Sequence, residues 1–295
     1  MWRRAFSAVT AKSVLQACRD YFAVFCVPVV AVSLAYRGLI GGLHLAVTGK
    51  HVGVDAILSF VVCMPTALYA EAVVAAMYLR WRRGEKPAIG EARELLTYPG
   101  LGRMLTRFVL VLCGWCLVAV LIGVVLYFVP MFFYGLVTAF FNGMLGVTHP
   151  GVAPKLPHST LLFLIFWVGS YGFFLSKYSF VLPMFAMERD GSADSFRSAV
   201  ERAKRHLNVL RIVMVVEYVS ITLITHGFLA MQRRWGSRPA LIGFAVGAAV
   251  LTGVVTTYFE MLKTEMAAQD VEREPLDGLA QPAQGEGWGA PSTAL

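Results

Sequence analysis

The sequence predicts an all-α fold, a polytopic membrane bundle of six transmembrane helices with amphipathic surface helices on the cytoplasmic side. Three observations predict it. The 295-residue chain is 57% hydrophobic and 15% charged, with a mean hydropathy of +0.64, whereas in a soluble domain about a quarter of the residues are charged. Six apolar runs reach the roughly 20 residues that a helix needs to cross about 30 Å of hydrocarbon. The runs are continuous, whereas strands of a membrane barrel alternate apolar and polar residues in shorter segments.

The runs fall at Tyr21 to Val47, Ala56 to Leu79, Phe108 to Val137, Leu161 to Met187, Val209 to Ala230 and Ala240 to Leu262. MWRR and a polar amphipathic stretch come before the first of them, which is not the pattern of a secretory signal. Lys and Arg collect before the first run (Arg3, Arg4, Lys12, Arg19), after the second (Arg80 to Arg107) and after the fourth (Arg189 to Arg211). The first and third connections hold only Lys50 and Lys155. The positive-inside rule puts the basic connections and both termini in the cytoplasm, against a weaker opposing signal from Arg233, Arg234 and Arg238. Residues 1–20 are then an N-terminal amphipathic cytoplasmic helix, 21–265 the six-span domain, and 266–295 a disordered cytoplasmic tail rich in Gly, Pro, Ala and Gln.

The most informative segment is Lys177 to Arg211, in which an apolar run ending at Pro183 and Glu188 leads into a short basic helix and then into the next run. Phe196, Ala199, Val200, Ala203 and Leu207 recur at helical spacing, with Arg197, Glu201, Lys204 and Arg205 on other faces. Ser192 is a suitable N-cap, and Asp194 lies in the first turn, where a carboxylate suits the helix dipole. Ala11, Val14, Leu15, Cys18 and Phe22 repeat the spacing before the first run. Ala92, Leu95 and Leu96 begin it before the third, where Pro99 and Gly100 interrupt. This order suggests three parallel copies of one unit, a surface helix followed by two spans.

The connection GEKPAIGEARELL, the pair Val129-Pro130 and the stretch YSFVLPMFAMERDGSADSFRSAVERAKR resemble the YciC-like group of six-helix bacterial membrane proteins. They are also similar to the membrane domain of some glycerophosphodiester phosphodiesterases. In that group a span ends in a proline and an acidic residue, and a small loop leads to a basic helix, an order matched by Pro183, Glu188, Gly191 and the helix from Ser192. The resemblance runs from Phe6 to Leu262 and implies a fold and the bacterial cytoplasmic (inner) membrane. It implies no catalytic residue, because the relatives' chemistry lies in a separate soluble domain.

Ionisable residues inside the runs are the functional candidates, since they are costly in hydrocarbon. By helical rise, Glu71 lies roughly 13 Å from Arg80, Glu217 roughly 9 Å from Arg211, and Lys177 roughly 16 Å from Glu188. A polar cluster of Glu71, Lys177 and Glu217 is therefore expected in the cytoplasmic half, with Lys177 pairing one acid and leaving the other as a proton or cation site. The competing reading is plain pairing or snorkelling toward head groups. Arg37, His44, His226 and Glu260 near the edges are read as interfacial. Arg197, Arg202, Lys204 and Arg205 are expected to meet anionic lipid head groups. Gly243 and Gly247 form a G-x-x-x-G packing face, with Gly253 further along, where a neighbouring helix can approach closely.

His149 and His158 lack companion ligands, so neither a metal nor a cofactor is expected. Cys113 and Cys116 share a helical face, yet they have neither a cationic partner nor a βαβ context and read as packing residues. The net charge of +8 is clustered between spans rather than arrayed in a groove, which excludes nucleic acid as a partner. Three functions stay open, in this order: a non-enzymatic membrane scaffold or accessory module, with a membrane-protein partner or homo-oligomer; a transporter of a small solute or lipid; and a membrane thiol or lipid enzyme, for which no catalytic constellation is found.

Overall fold

A computed structural model describes residues 11–46, 52–144, 171–188, 192–235 and 238–273. Regular structure among them is entirely helical, with no strand. The α-helices are α1 (Ala11–Ala46), α2 (Val52–Arg82), α3 (Gly90–Leu96), α4 (Pro99–Met144), α5 (Val181–Glu188), α6 (Ala193–Arg205), α7 (Leu207–Trp235) and α8 (Arg238–Arg273). A turn of π-helix, Tyr171–Leu175, and a 3-10 turn, Ser176–Tyr178, precede α5. Among the described residues, two helical stretches, Leu207–Ile224 and Ile242–Glu272, are long and apolar enough to cross a membrane.

Local chemistry sets the ends of these helices. α1 breaks at Tyr21, whose backbone (φ −138°, ψ 26°) is not helical, so the amphipathic first part can take its own direction. α2 closes through Gly84 at φ 82°, where the missing Cβ permits the left-handed turn that lets Glu85 N–H reach the Arg80 carbonyl at 3.0 Å. Pro99 opens α4 at a position where no backbone N–H is required. The Pro99-Gly100 interruption therefore separates α3 from α4, and Arg103 and Arg107 ride on the first turns of α4. Ser192 caps α6 by accepting a hydrogen bond from Ser195 N–H at 3.0 Å, with Asp194 in the first turn.

α8 is the central element, packing against α1, α2, α5 and α7. The core comprises the apolar run Ala72 to Leu79 of α2, Phe180 to Ala186 entering α5, Val209 to Met214 of α7, and Met261 to Ala268 of α8. Among the described side chains of α4, Leu101, Met104, Phe108, Leu112 and Trp115 in its first part are buried, while Leu117, Leu121, Val125, Phe132, Phe133, Leu136, Phe140 and Met144 are exposed.

Two expectations require correction. The tail does not begin at residue 266, because α8 continues to Arg273 with Met266, Ala267 and Ala268 buried; 274–295 lies outside the described residues. An acidic, low-hydropathy composition pointed to disorder, but one face of that stretch is apolar enough to dock. The G-x-x-x-G face is not a close helix crossing either. Among the described residues, a methyl on Gly243 would meet nothing within 4 Å, and one on Gly247 would touch only the Phe228 ring, at 3.2 Å. Close approach occurs at Gly253, where a methyl would sit 3.3 Å from the backbone nitrogen of Val30 in α1 and nearer still to its side chain. Gly253 faces α1, whereas Gly243 faces no helix among the described residues.

Candidate functional site

Two polar constellations stand out in this apolar chain, and α8 contributes to both. The deeper one gathers Glu71 of α2, Glu217 of α7, and Glu260 and Lys263 of α8. Lys263 Nζ lies 2.7 Å from Glu260 Oε2 and 3.4 Å from Glu217 Oε2. Glu71 is close enough to interact electrostatically with Lys263, Glu260 and Glu217 alike. Glu260 is 1% exposed, Glu217 3% and Lys263 5%, while Glu71 is partly exposed. One lysine thus faces three carboxylates drawn from three helices.

Glu71 and Glu217 come together, but Lys177 does not join them. The break in regular α-helix at Tyr171–Tyr178 turns its chain elsewhere, and its ammonium sits 4.5 Å from the Phe174 ring centroid and 5.0 Å from that of Tyr178, a cation–π arrangement. Tyr178 in turn meets Phe196 of α6, so Lys177 belongs to the joint between this segment and the surface helix. The cation at the acids is Lys263, whose role is not read from the sequence because it sits at the end of the last apolar run. Glu260, expected to be interfacial, is buried. The available signal was the i,i+3 spacing of Glu260 and Lys263, which puts them on one helix face.

The second constellation lies at the end of the bundle where α2, α3, α6 and α8 meet. Arg82 forms a fork: its Nε lies 2.9 Å from Glu265 Oε2, Nη2 donates to Glu272 Oε2 at 2.9 Å, and Nη1 donates to Glu272 Oε1. The hydrogen bonds to Glu272, outweighing partial burial and assisted by the charge of Glu265, hold the guanidinium above its ordinary range. Tyr78 O–H donates to Glu265 Oε2 at 3.1 Å, and Gln269 Nε2 donates to Glu265 Oε1 at 3.0 Å. Arg80 Nη2 reaches Glu94 Oε2 at 2.6 Å, and Tyr69 O–H donates to the Ala92 carbonyl, so α3 is tied to α2.

On α6, Arg202 donates from Nη1 to Asp270 Oδ2 at 3.1 Å, and His206 Nε2 lies 2.7 Å from Asp270 Oδ1. Arg202 is 1% exposed, so it does not reach lipid head groups as expected. The physical reason is its position: 199, 202, 203 and 206 share the face of α6 turned toward α8, and the carboxylate of Asp270 meets it there. Arg197, Lys204 and Arg205 are exposed. Lys204 bonds Glu201 at 2.7 Å, and that hydrogen bond holds the Glu201 carboxyl below its usual range. Asp194, Arg197, Ser198, Glu201, Arg202 and Arg205 line a cavity of about 280 Å³.

Among the described residues no group of three or more His, Cys, Asp or Glu is arranged to hold a metal ion. Cys113 is an exposed free thiol. His149 and His158 lie outside the described residues. The chain matches no known family model, no curated protein and no solved structure.

Proposed function

We propose that this chain is a six-span protein of the bacterial cytoplasmic membrane, with both termini in the cytoplasm, acting as a non-enzymatic scaffold or accessory module akin to the YciC-like group. The observation that carries the reading is the ionic clamp at one end of the bundle. Arg82 with Glu265 and Glu272, Arg80 with Glu94, and Arg202 and His206 with Asp270 tie four elements into one layer. Such a layer is a rigid base for a basic helix whose Arg197, Lys204 and Arg205 are exposed, on the side that would meet lipid head groups or a membrane-protein partner. The apolar exterior of α4 from Leu117 to Met144 supports a lipid environment, since soluble monomers rarely leave so long a patch uncovered. Basic residues from the second and fourth connections share the clamp with the end of α8, which supports their lying on one side of the membrane.

The test is purification in mild detergent from cells carrying wild type or the Arg197→Glu/Lys204→Glu variant. The expected result is a membrane-protein partner, or a second copy, at fixed stoichiometry with wild type and its loss with the folded variant. Solute flux by the isolated protein in liposomes, with no partner in either preparation, would overturn the scaffold reading in favour of a transporter. One specific observation favours that second reading: Glu71, Glu217, Glu260 and Lys263 place four ionisable groups inside the apolar bundle, where such groups commonly mark ion or proton paths.

A further inference from the structure

Charge does not balance at the buried cluster. Glu71, Glu217 and Glu260 would carry three negative charges when ionised, against the single positive charge of Lys263. Among the described residues no other cation forms an ion pair with these carboxylates. Arg211, one and a half turns from Glu217, stacks its guanidinium 4.5 Å from the Phe173 ring centroid, and Lys177 is held by aromatic rings. Arg80 and Arg82 of α2 are engaged by Glu94, Glu265 and Glu272 at the end of the bundle, and Cys26 of α1, Tyr78 of α2 and Tyr218 of α7 carry no positive charge.

A negative charge left without a cation in the apolar interior is strongly unfavourable. A second observation points to what fills the deficit. Oε1 of Glu260 has no hydrogen-bond donor, although the residue is 1% exposed and its other oxygen is at Lys263. A buried carboxylate oxygen without a donor is costly, whereas a carboxylic acid supplies its own proton and can donate to a neighbouring acid. The three carboxylates also do not converge as a ligand set for a metal ion.

We propose that Glu71, Glu217 and Glu260 hold at least one exchangeable proton beside Lys263, making the cluster a proton-binding site within the bundle. Glu71, the most exposed of the three acids, is the natural first acceptor. This inference goes beyond both functional readings and holds for either, since it concerns what the cluster binds and not what the protein carries.

The test is infrared difference spectroscopy on the full chain in lipid nanodiscs, following the carbonyl stretch of protonated carboxyl groups with and without deuterium exchange. At neutral pH wild type is expected to show a deuterium-sensitive band from a buried acid, which at least one of Glu71→Gln, Glu217→Gln and Glu260→Gln removes. Lys263→Met, which deletes the fixed positive charge, is expected to enlarge it. A neutral-pH wild-type spectrum with no such band would overturn the proposal, as would a band unchanged in all three folded Gln variants. Suppression of the band by Na⁺ or K⁺ would overturn it in favour of a bound monovalent cation. The wild-type spectrum decides the matter even if the variants fail to fold.

Discussion

Arg202 and Arg197 lie five residues apart on one helix and do opposite things. Arg202 is 1% exposed and bonded to Asp270, while Arg197 faces outward. Breaking a buried pair leaves a charge without its partner, which typically costs about 3–5 kcal/mol, whereas exposed substitutions stay within about 0.5 kcal/mol. Arg202→Ala is therefore expected to lower the unfolding midpoint in detergent sharply and Arg197→Ala to leave it unchanged; equal midpoints would refute the assignment. Both arginines look alike in a basic amphipathic stretch. Burial of one of them depends on Asp270, 68 positions along the chain, a distance across which periodicity carries no information. Ser192 is the opposite case: its cap is a contact three residues long and was legible locally.

Helix geometry separates the glycines of α8 as clearly. A side chain at Gly253 would drive into Val30 of α1, while one at Gly243 would enter open space. Gly253→Leu is expected to separate α1 from α8 and to produce aggregation on size exclusion, with Gly243→Leu eluting as wild type; the reverse order would refute the contact between Gly253 and α1. The G-x-x-x-G pair points to the wrong glycines, because motif spacing cannot say which glycine of a helix meets a neighbour. The segment before α5 teaches the same lesson. Pro183 and Glu188 lie in a short helix, Val181–Glu188, yet the π and 3-10 turns that precede it and divert Lys177 have no sequence signature.

Across the whole molecule, α8 reaches past its apolar run to place Lys263, Glu265, Asp270 and Glu272 against three other helices. Truncation after Arg273 is expected to give a folded, membrane-inserted protein, whereas truncation after Leu262 removes both the clamp and the lysine of the buried cluster. The second truncation should be rapidly degraded and lose its cooperative unfolding transition; survival of a cooperative transition would mean that α8 beyond Leu262 is dispensable. By itself the sequence determined the all-helical class, the cap at Ser192, the break at Pro99, and the short list of acids to examine. These depend on composition, on periodicity and on contacts a few residues long. Only the tertiary structure decided that Lys263 rather than Lys177 faces Glu217 and Glu260, that Arg202 is buried, and that the chain beyond 265 docks. Each of those depends on which face of one helix meets which face of another, and in a chain apolar on nearly every face the hydrophobic pattern does not distinguish them.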